Sequence, residues 1–266
     1  DCKGSNNGRC EEAAVRIPWR RRLPPVFVHC AYAEDLKTHP DYRAAKLRGD
    51  AEAAHRLIEN LAAEATLDKI ADSILREETH VVSPAKDEHF SNNALAPTYA
   101  VWLAAQLDLH FHGDIYLADR RKRDLSNGWE RLVNPSTFYG RVPENSDFIV
   151  ADDVCTVGGT IADMISFLEL NGGRVVCATA LAASGGSDVP LVISDATRVG
   201  LEREYGGALD AFLREGLGHG IECLTEREAR LFLGKGPSLD RVREDLARAA
   251  DASDDREGQA GRGREA

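Results

Sequence analysis

The sequence predicts an α/β protein: a parallel sheet flanked by helices, with a helical extension ahead of it and a disordered C-terminal tail behind. Three observations carry this. Short apolar, β-branched runs recur through the middle of the chain, at 79–83, 114–118, 148–152 and 174–183. Between them lie longer stretches whose apolar residues repeat at helical spacing. The runs are apolar on both sides of the pleat, as in strands covered on both faces, and strands alternating with helices favour parallel pairing.

Taken in order, residues 1–25 read as irregular: Gly, Asn and Ser, then arginines, then Pro24-Pro25. Residues 26–76 read as the helical extension. Asp50 stands where it caps a helix carrying Ala54, Leu57, Ile58 and Leu61 on one face. A strand follows from Thr79 to Ser83 and ends at Pro84. After a charged loop, Leu95, Tyr99, Trp102, Leu103 and Gln106 mark a helix from about Asn93 to Leu107. Asp114–Ala118 and Phe148–Asp152 are the next strands. A helix from Thr160 to Leu170 ends at Gly172-Gly173, and a strand runs from Arg174 to Ala183. The pattern then predicts a short strand at Leu191–Ser194 and helices at 196–205, 208–215 and 225–233, the last opened by the capping-box spacing of Thr225 and Glu228. One more charged helix reaches about Ala250. Residues 251–266 offer almost nothing to bury and are expected to be disordered.

The chain has 266 residues, 43% hydrophobic and 29% charged, in the range of a globular protein with enough length for its own core. No apolar run approaches the roughly 18 residues of a membrane span. The arginines at 16 and 20–22 are not followed by a secretory apolar core, so no signal peptide is read. None of the six cysteines forms a C-x-x-C pair, and a reducing cytoplasm is the simplest home. A net charge of −11 disfavours general nucleic-acid binding. Any anion site must therefore be built locally.

Such a site is spelled in Phe148-Ile-Val-Ala-Asp152-Asp153-Val-Cys-Thr156-Val157-Gly158-Gly159-Thr160. A buried strand would deliver this segment to the carboxyl edge of the sheet, where open α/β sheets bind ligands. Gly158 and Gly159 allow a tight turn with amides close to an anion, and Thr160 starts a helix whose N-terminus favours phosphate. Thr156 and Thr160 add hydroxyls. Asp152 and Asp153 would repel a phosphate beside them; facing vicinal sugar hydroxyls or a magnesium ion, they make sense. The plain alternative is a strand–turn–helix with an Asp cap.

The segment resembles the signature of the type I phosphoribosyltransferases. That resemblance implies a type I phosphoribosyltransferase-like domain over 77–234, with 235–266 as charged helix and tail. It implies that Asp152 and Asp153 contact the ribose hydroxyls of phosphoribosyl pyrophosphate (PRPP), or its Mg2+, and that residues 156–160 wrap the 5-phosphate. Val157 departs from the pattern, standing where a threonine is common. The chain is also similar to a bacterial group of phosphoribosyltransferase-like proteins through Val81–Asn93, Gly-Trp-Glu-Arg-Leu at 128–132 and Leu-Thr-Glu-Arg-Glu-Ala-Arg at 224–230.

On the same resemblance, Lys86 occupies the pyrophosphate loop. Arg120, Arg121, Lys122 and Arg123 lie where a mobile hood covers the site; such a cluster suits phosphate, and Arg121 and Arg123 would support the leaving pyrophosphate. Each loop also reads as a solvated charged segment. His110 and His112 share a strand face, read as a surface strand rather than a metal site; Trp129 reads as packing. The implied activity is transfer of 5-phosphoribosyl from Mg-PRPP to a nitrogenous, base-like acceptor with release of pyrophosphate, by a protein that pairs as a homodimer. The alternatives are a non-catalytic sensor of PRPP or a nucleotide, and a hydrolase using water as acceptor.

Overall fold

The computed structural model describes residues 16–85, 92–118, 127–186, 188–234 and 238–262. Its centre is a six-stranded sheet of order β3-β2-β6-β7-β1-β8. The strands are β1 (Val26–Cys30), β2 (Thr79–Val82), β3 (His110–Phe111), β6 (Asp147–Cys155), β7 (Arg174–Ala183) and β8 (Asp188–Val189). All neighbours are parallel except β8, which runs antiparallel to β1 along one edge. A separate two-stranded ribbon pairs β4 (Ile115–Leu117) with β5 (Phe138–Gly140).

Alternation along the strands, interrupted by a register shift where Phe148 and Ile149 pair with Val175 and Cys177, sorts the two faces. Val81, Ile149, Ala151 and Cys177 point to one face, covered by α1 (Ala33–Lys37), α2 (Tyr42–Arg48), α3 (Ala51–Leu61), α4 (Glu64–Ala71) and α5 (Leu95–Gln106). Val82, Phe148, Val150 and Val175 point to the other, covered by α7 (Gly159–Leu170) and the β4–β5 ribbon. A third apolar cluster joins α6 (Gly128–Val133), α8 (Asp195–Tyr205), α9 (Ala208–Leu217), α10 (Glu226–Leu233) and α11 (Leu239–Arg262).

Residues 16–25 carry neither helix nor strand, as expected, yet they are firmly held. They run along α7: the Ile17 amide donates to Ser166 Oγ, Arg21 pairs with Glu169 at 3.1 Å and donates to the Val175 carbonyl, and Trp19 Nε1 donates to the Leu224 carbonyl.

Four differences from the sequence reading have physical causes. Val26–Cys30 is a strand wedged between β7 and β8, so the boundary read at 76/77 falls inside a single sheet. The strand read at 114–118 belongs to the ribbon, because His110–Phe111 takes the place beside β2. No strand forms at 191–194: Asp188–Val189 pairs with β1, Val192 makes one isolated bridge to Thr225, and Ser194 is committed to capping α8 through the Thr197 amide. The terminal helix runs to Arg262 rather than ending near Ala250, over a stretch in which the helix formers Ala252, Arg256, Glu257, Gln259 and Ala260 recur.

A buried polar chain crosses the first face. Ala63 N–H donates to His29 Nδ1 (2.8 Å), which places the ring proton on Nε2, facing Tyr99 Oη at 2.8 Å. Tyr99 in turn meets Thr179 Oγ1 at 2.7 Å, and that hydroxyl donates to the Phe27 carbonyl. Every member is satisfied, as burial requires. Burial pushes the His29 pKa down to about 4, so the ring is neutral near pH 7.

Candidate functional site

Strand β6 lies between β2 and β7 and carries the acids to the carboxyl edge of the sheet. Pleat alternation sends them to opposite faces. Asp153 turns toward the helical layer, where its Oδ2 accepts from Lys46 Nζ of α2 at 2.5 Å and Asn93 Nδ2 at 2.9 Å. Asn93 Oδ1 also accepts from the Leu95 amide, which fixes it at the start of α5. Asp152 is half-buried and lines a small concavity on the α7 side, its Oδ1 accepting from the Asp153 amide at 2.8 Å.

The electrostatics diverge accordingly. Burial, then the neighbouring Asp153 charge, raise the Asp152 pKa well above the usual carboxylate range. Burial also works to raise Asp153, but the Lys46 charge and the hydrogen bonds from Lys46 and Asn93 outweigh it and hold that carboxyl low. Beside them, burial and then Asp152 push the Cys155 thiol up to about 12, leaving it an inert hydrophobe.

The turn itself is held from behind. Gly158 sits at φ +83°, in the left-handed region, where an added Cβ would meet Leu191 Cδ2 at 3.3 Å and Thr225 Cγ2 at 3.4 Å. A Cβ on Gly159 would lie 2.8 Å from Glu228 Oε1. Three carbonyls of the turn are taken by side chains: Thr156 O by Arg227 Nη1 (2.6 Å), Val157 O by Thr225 Oγ1 (2.6 Å) and Gly159 O by Arg16 Nη2 (3.3 Å). Arg227 also donates to the Gly185 carbonyl. The first amides of α7 have no acceptor within the helix and are available to an anion.

Arg16 is almost fully buried and bridges Asp163 (2.6 Å) of α7 and Glu228 (2.6 Å) of α10. Burial alone would lower its pKa; Asp163 and Glu228 more than compensate and keep it charged. Glu228 closes the capping box with Thr225 that the sequence predicts. Arg131 of α6 reaches the same turn, its Nη1 donating to Thr156 Oγ1 at 2.5 Å.

The predicted residues thus fall into three groups. Thr156, Val157, Gly158, Gly159, Thr160 and Asp152 come together around the turn. Val157 packs its side chain near Gly128 at the start of α6, which accounts for a valine there. Asp153 stands on the opposite face, already engaged by an ammonium, so the two acids do not fit a magnesium cage built from both carboxylates. Among the described residues, no group of three or more His, Cys, Asp or Glu is placed to hold a metal ion. Lys86, Arg120, Arg121, Lys122 and Arg123 lie outside the described residues.

Residues elsewhere follow the plainer readings. His110 and Phe111 form an exposed edge strand, and Trp129 packs edge-on against Phe232 at 5.0 Å. Lys46, Asn93, Arg131, Arg16 and Arg227 escaped residue-by-residue reasoning. Three segments of the resemblance pointed to some of them: the segment ending at Asn93, the one holding Arg131, and the one holding Thr225, Arg227 and Glu228 all converge on β6 or the turn.

No protein-family profile matches the chain. It is 34% identical over 245 residues to Protein TraN of Escherichia coli, covering 92% of this chain and 54% of that protein. It is 26% identical over 158 residues to an uncharacterized protein of Haemophilus influenzae, covering 59% of this chain and 35% of the relative. The chain therefore spans about half the length of the first and about a third of the second. Solved structures similar to it include orotate phosphoribosyltransferase from Aeropyrum pernix (TM-score 0.29, 22% identity, 69% of this chain and 88% of that one). Adenine phosphoribosyltransferase from Thermoanaerobacter pseudethanolicus is another (TM-score 0.32, 16% identity, 51% and 82%). So is Leishmania donovani UMP synthase (TM-score 0.26, 16% identity, 68% and 35%). Among the described residues no helix is long and apolar enough to cross a membrane.

Proposed function

We propose that this chain binds a 5-phosphoribosyl group at the β6–α7 turn and transfers it from Mg-PRPP to a nitrogenous, base-like acceptor. The observation that carries this reading is the pairing of a carbonyl-tethered turn with Asp152 in one concavity. The turn offers amides and the hydroxyls of Thr156 and Thr160 to a phosphate, and Asp152 offers an acceptor to a sugar hydroxyl a few ångströms along.

In the transfer, the bond from the anomeric carbon to pyrophosphate breaks as the bond to the acceptor nitrogen forms, and pyrophosphate leaves with its electron pair. The chain's described residues would contribute by fixing the sugar rather than by covalent attack. Stabilisation of the leaving group is assigned to Lys86 and to Arg120, Arg121 and Arg123, with magnesium arriving as part of the substrate. A second copy of the chain in a homodimer belongs to the same reading.

One observation favours a second reading, in which the chain binds PRPP or a nucleotide without turnover: Asp153 is held by Lys46 and Asn93 and is therefore not presented to a ribose hydroxyl. Calorimetry with Mg-PRPP, followed by pyrophosphate release against a panel of purines, pyrimidines and related bases, separates them. Binding with turnover on one base supports the transferase. Binding without turnover on any base leaves the sensor. Absence of binding removes both.

A further inference from the structure

We infer that Arg131 makes the turn selective for a dianionic 5-phosphomonoester, an inference that rests on the ribose-phosphate reading above. Arg131 is carried by a separate element, α6, whose start is fixed when Asn127 caps it by accepting from the Glu130 amide at 3.0 Å. From there the guanidinium reaches the mouth of the turn. It lines the same concavity as Asp152, Thr156 and the first residues of α7.

Its contact with Thr156 has a directional consequence. Arg131 Nη1 donates to Thr156 Oγ1, so the hydroxyl accepts on that side and its own proton is directed elsewhere. The Thr156 carbonyl is drawn away by Arg227, so it does not compete for that proton. A ligand oxygen in the concavity would then meet a hydroxyl donor, the α7 amides and the Arg131 guanidinium together.

The charge decides what is chosen. Amides and a helix terminus amount to about half an elementary charge, enough for any oxyanion. Asp152 beside them works against anions unless it is protonated or bonded to a hydroxyl. A guanidinium adds a whole charge at hydrogen-bonding range, and its stabilisation grows with each negative charge on the ligand. A phosphomonoester gains its second charge near pH 6, while Asp152, raised well above the usual carboxylate range, ionises over the same region and opposes it, so the charge of Arg131 shows in the loss on its removal at each pH rather than in the wild-type profile.

The test is titration calorimetry of ribose 5-phosphate, with ribose as the neutral control, on wild type, Arg131→Met and Arg131→Gln at about pH 5 and about pH 7.5. Gln keeps a polar side chain without the charge. Wild type is expected to bind ribose 5-phosphate at both pH values. Relative to wild type at the same pH, which carries the same Asp152, both variants are expected to lose more than about tenfold at the higher pH and less than about threefold at the lower. Arg131→Gln matching wild type at the higher pH overturns the role of charge while leaving the ribose-phosphate reading intact. Equal losses at both pH values in folded variants also overturn it. Failure of wild type to bind at all removes the ribose-phosphate reading and this inference together. Thermal melting checks that each variant folds, and Arg131→Gln carries the test if Arg131→Met does not.

Discussion

Lys46 Nζ lies 2.5 Å from Asp153 Oδ2, joining the helical layer to the strand that leads into the turn. Both side chains are largely buried, at 13% and 9% exposure. Removing one partner of such a pair strands the other charge. Lys46→Met should therefore cost about 3–5 kcal/mol, read from urea denaturation near neutral pH. Lys46→Met/Asp153→Asn should recover a substantial part of that loss. A single variant as stable as wild type would show that the pair contributes nothing net.

The Arg16 triad makes a comparable prediction behind the turn. Arg16→Met leaves Asp163 and Glu228 buried without their cation, and a loss of about 3–5 kcal/mol is expected. Because Arg16 also holds the Gly159 carbonyl, amide exchange in the first turn of α7 should speed up more than in β7. Uniform acceleration across both elements would confine Arg16 to global stability.

Gly158 and Gly159 should fail differently. Gly158→Ala places a side chain at φ +83° and is expected to cost about 1–2 kcal/mol. Gly159→Ala instead presses on Glu228 and so disturbs the capping box and the Arg16 pair. In both, ribose 5-phosphate affinity measured by calorimetry should fall more than about tenfold, since the amides move. Retained affinity in both variants would place the phosphate elsewhere.

His29 supplies a pH signature independent of any ligand. Its folded pKa is lowered to about 4 against an ordinary 6.5. Between those values the unfolded chain binds more protons, so stability rises with pH. The contribution is complete above about pH 6.5 and is lost progressively down to about pH 4, amounting to about 3 kcal/mol. His29→Gln should flatten that window in denaturation curves taken across it. An unchanged slope would assign the pH dependence to other groups.

What the sequence makes legible divides by distance along the chain. Helix α7, strand β7 and the Thr225–Glu228 cap announce themselves because periodicity, glycine stops and cap spacing are local signals. The turn is legible for the same reason. Strand β1 is not: the five residues directly after Pro24-Pro25 fall in the stretch read as helical extension, and only the strands on either side give them a ladder. Lys46 is 107 residues from Asp153, and Arg16 is 212 from Glu228; nothing in either neighbourhood marks the partner. That Asp152 and Asp153 part company follows from pleat alternation, which the sequence contains; which face holds a cation follows only from the packing of α2.

The tethers behind the turn also set an order of events during synthesis. Chains emerge from the ribosome N-terminal end first. When residues 156–160 have emerged, Arg16 has been made but its partners Asp163 and Glu228 have not, and Thr225 and Arg227 are still 68 and 71 residues away from the carbonyls they will hold. The nascent turn therefore lacks these tethers until α10 arrives and docks. A chain interrupted between Thr160 and Leu224 would carry the signature string in full and still lack the grip that gives it shape.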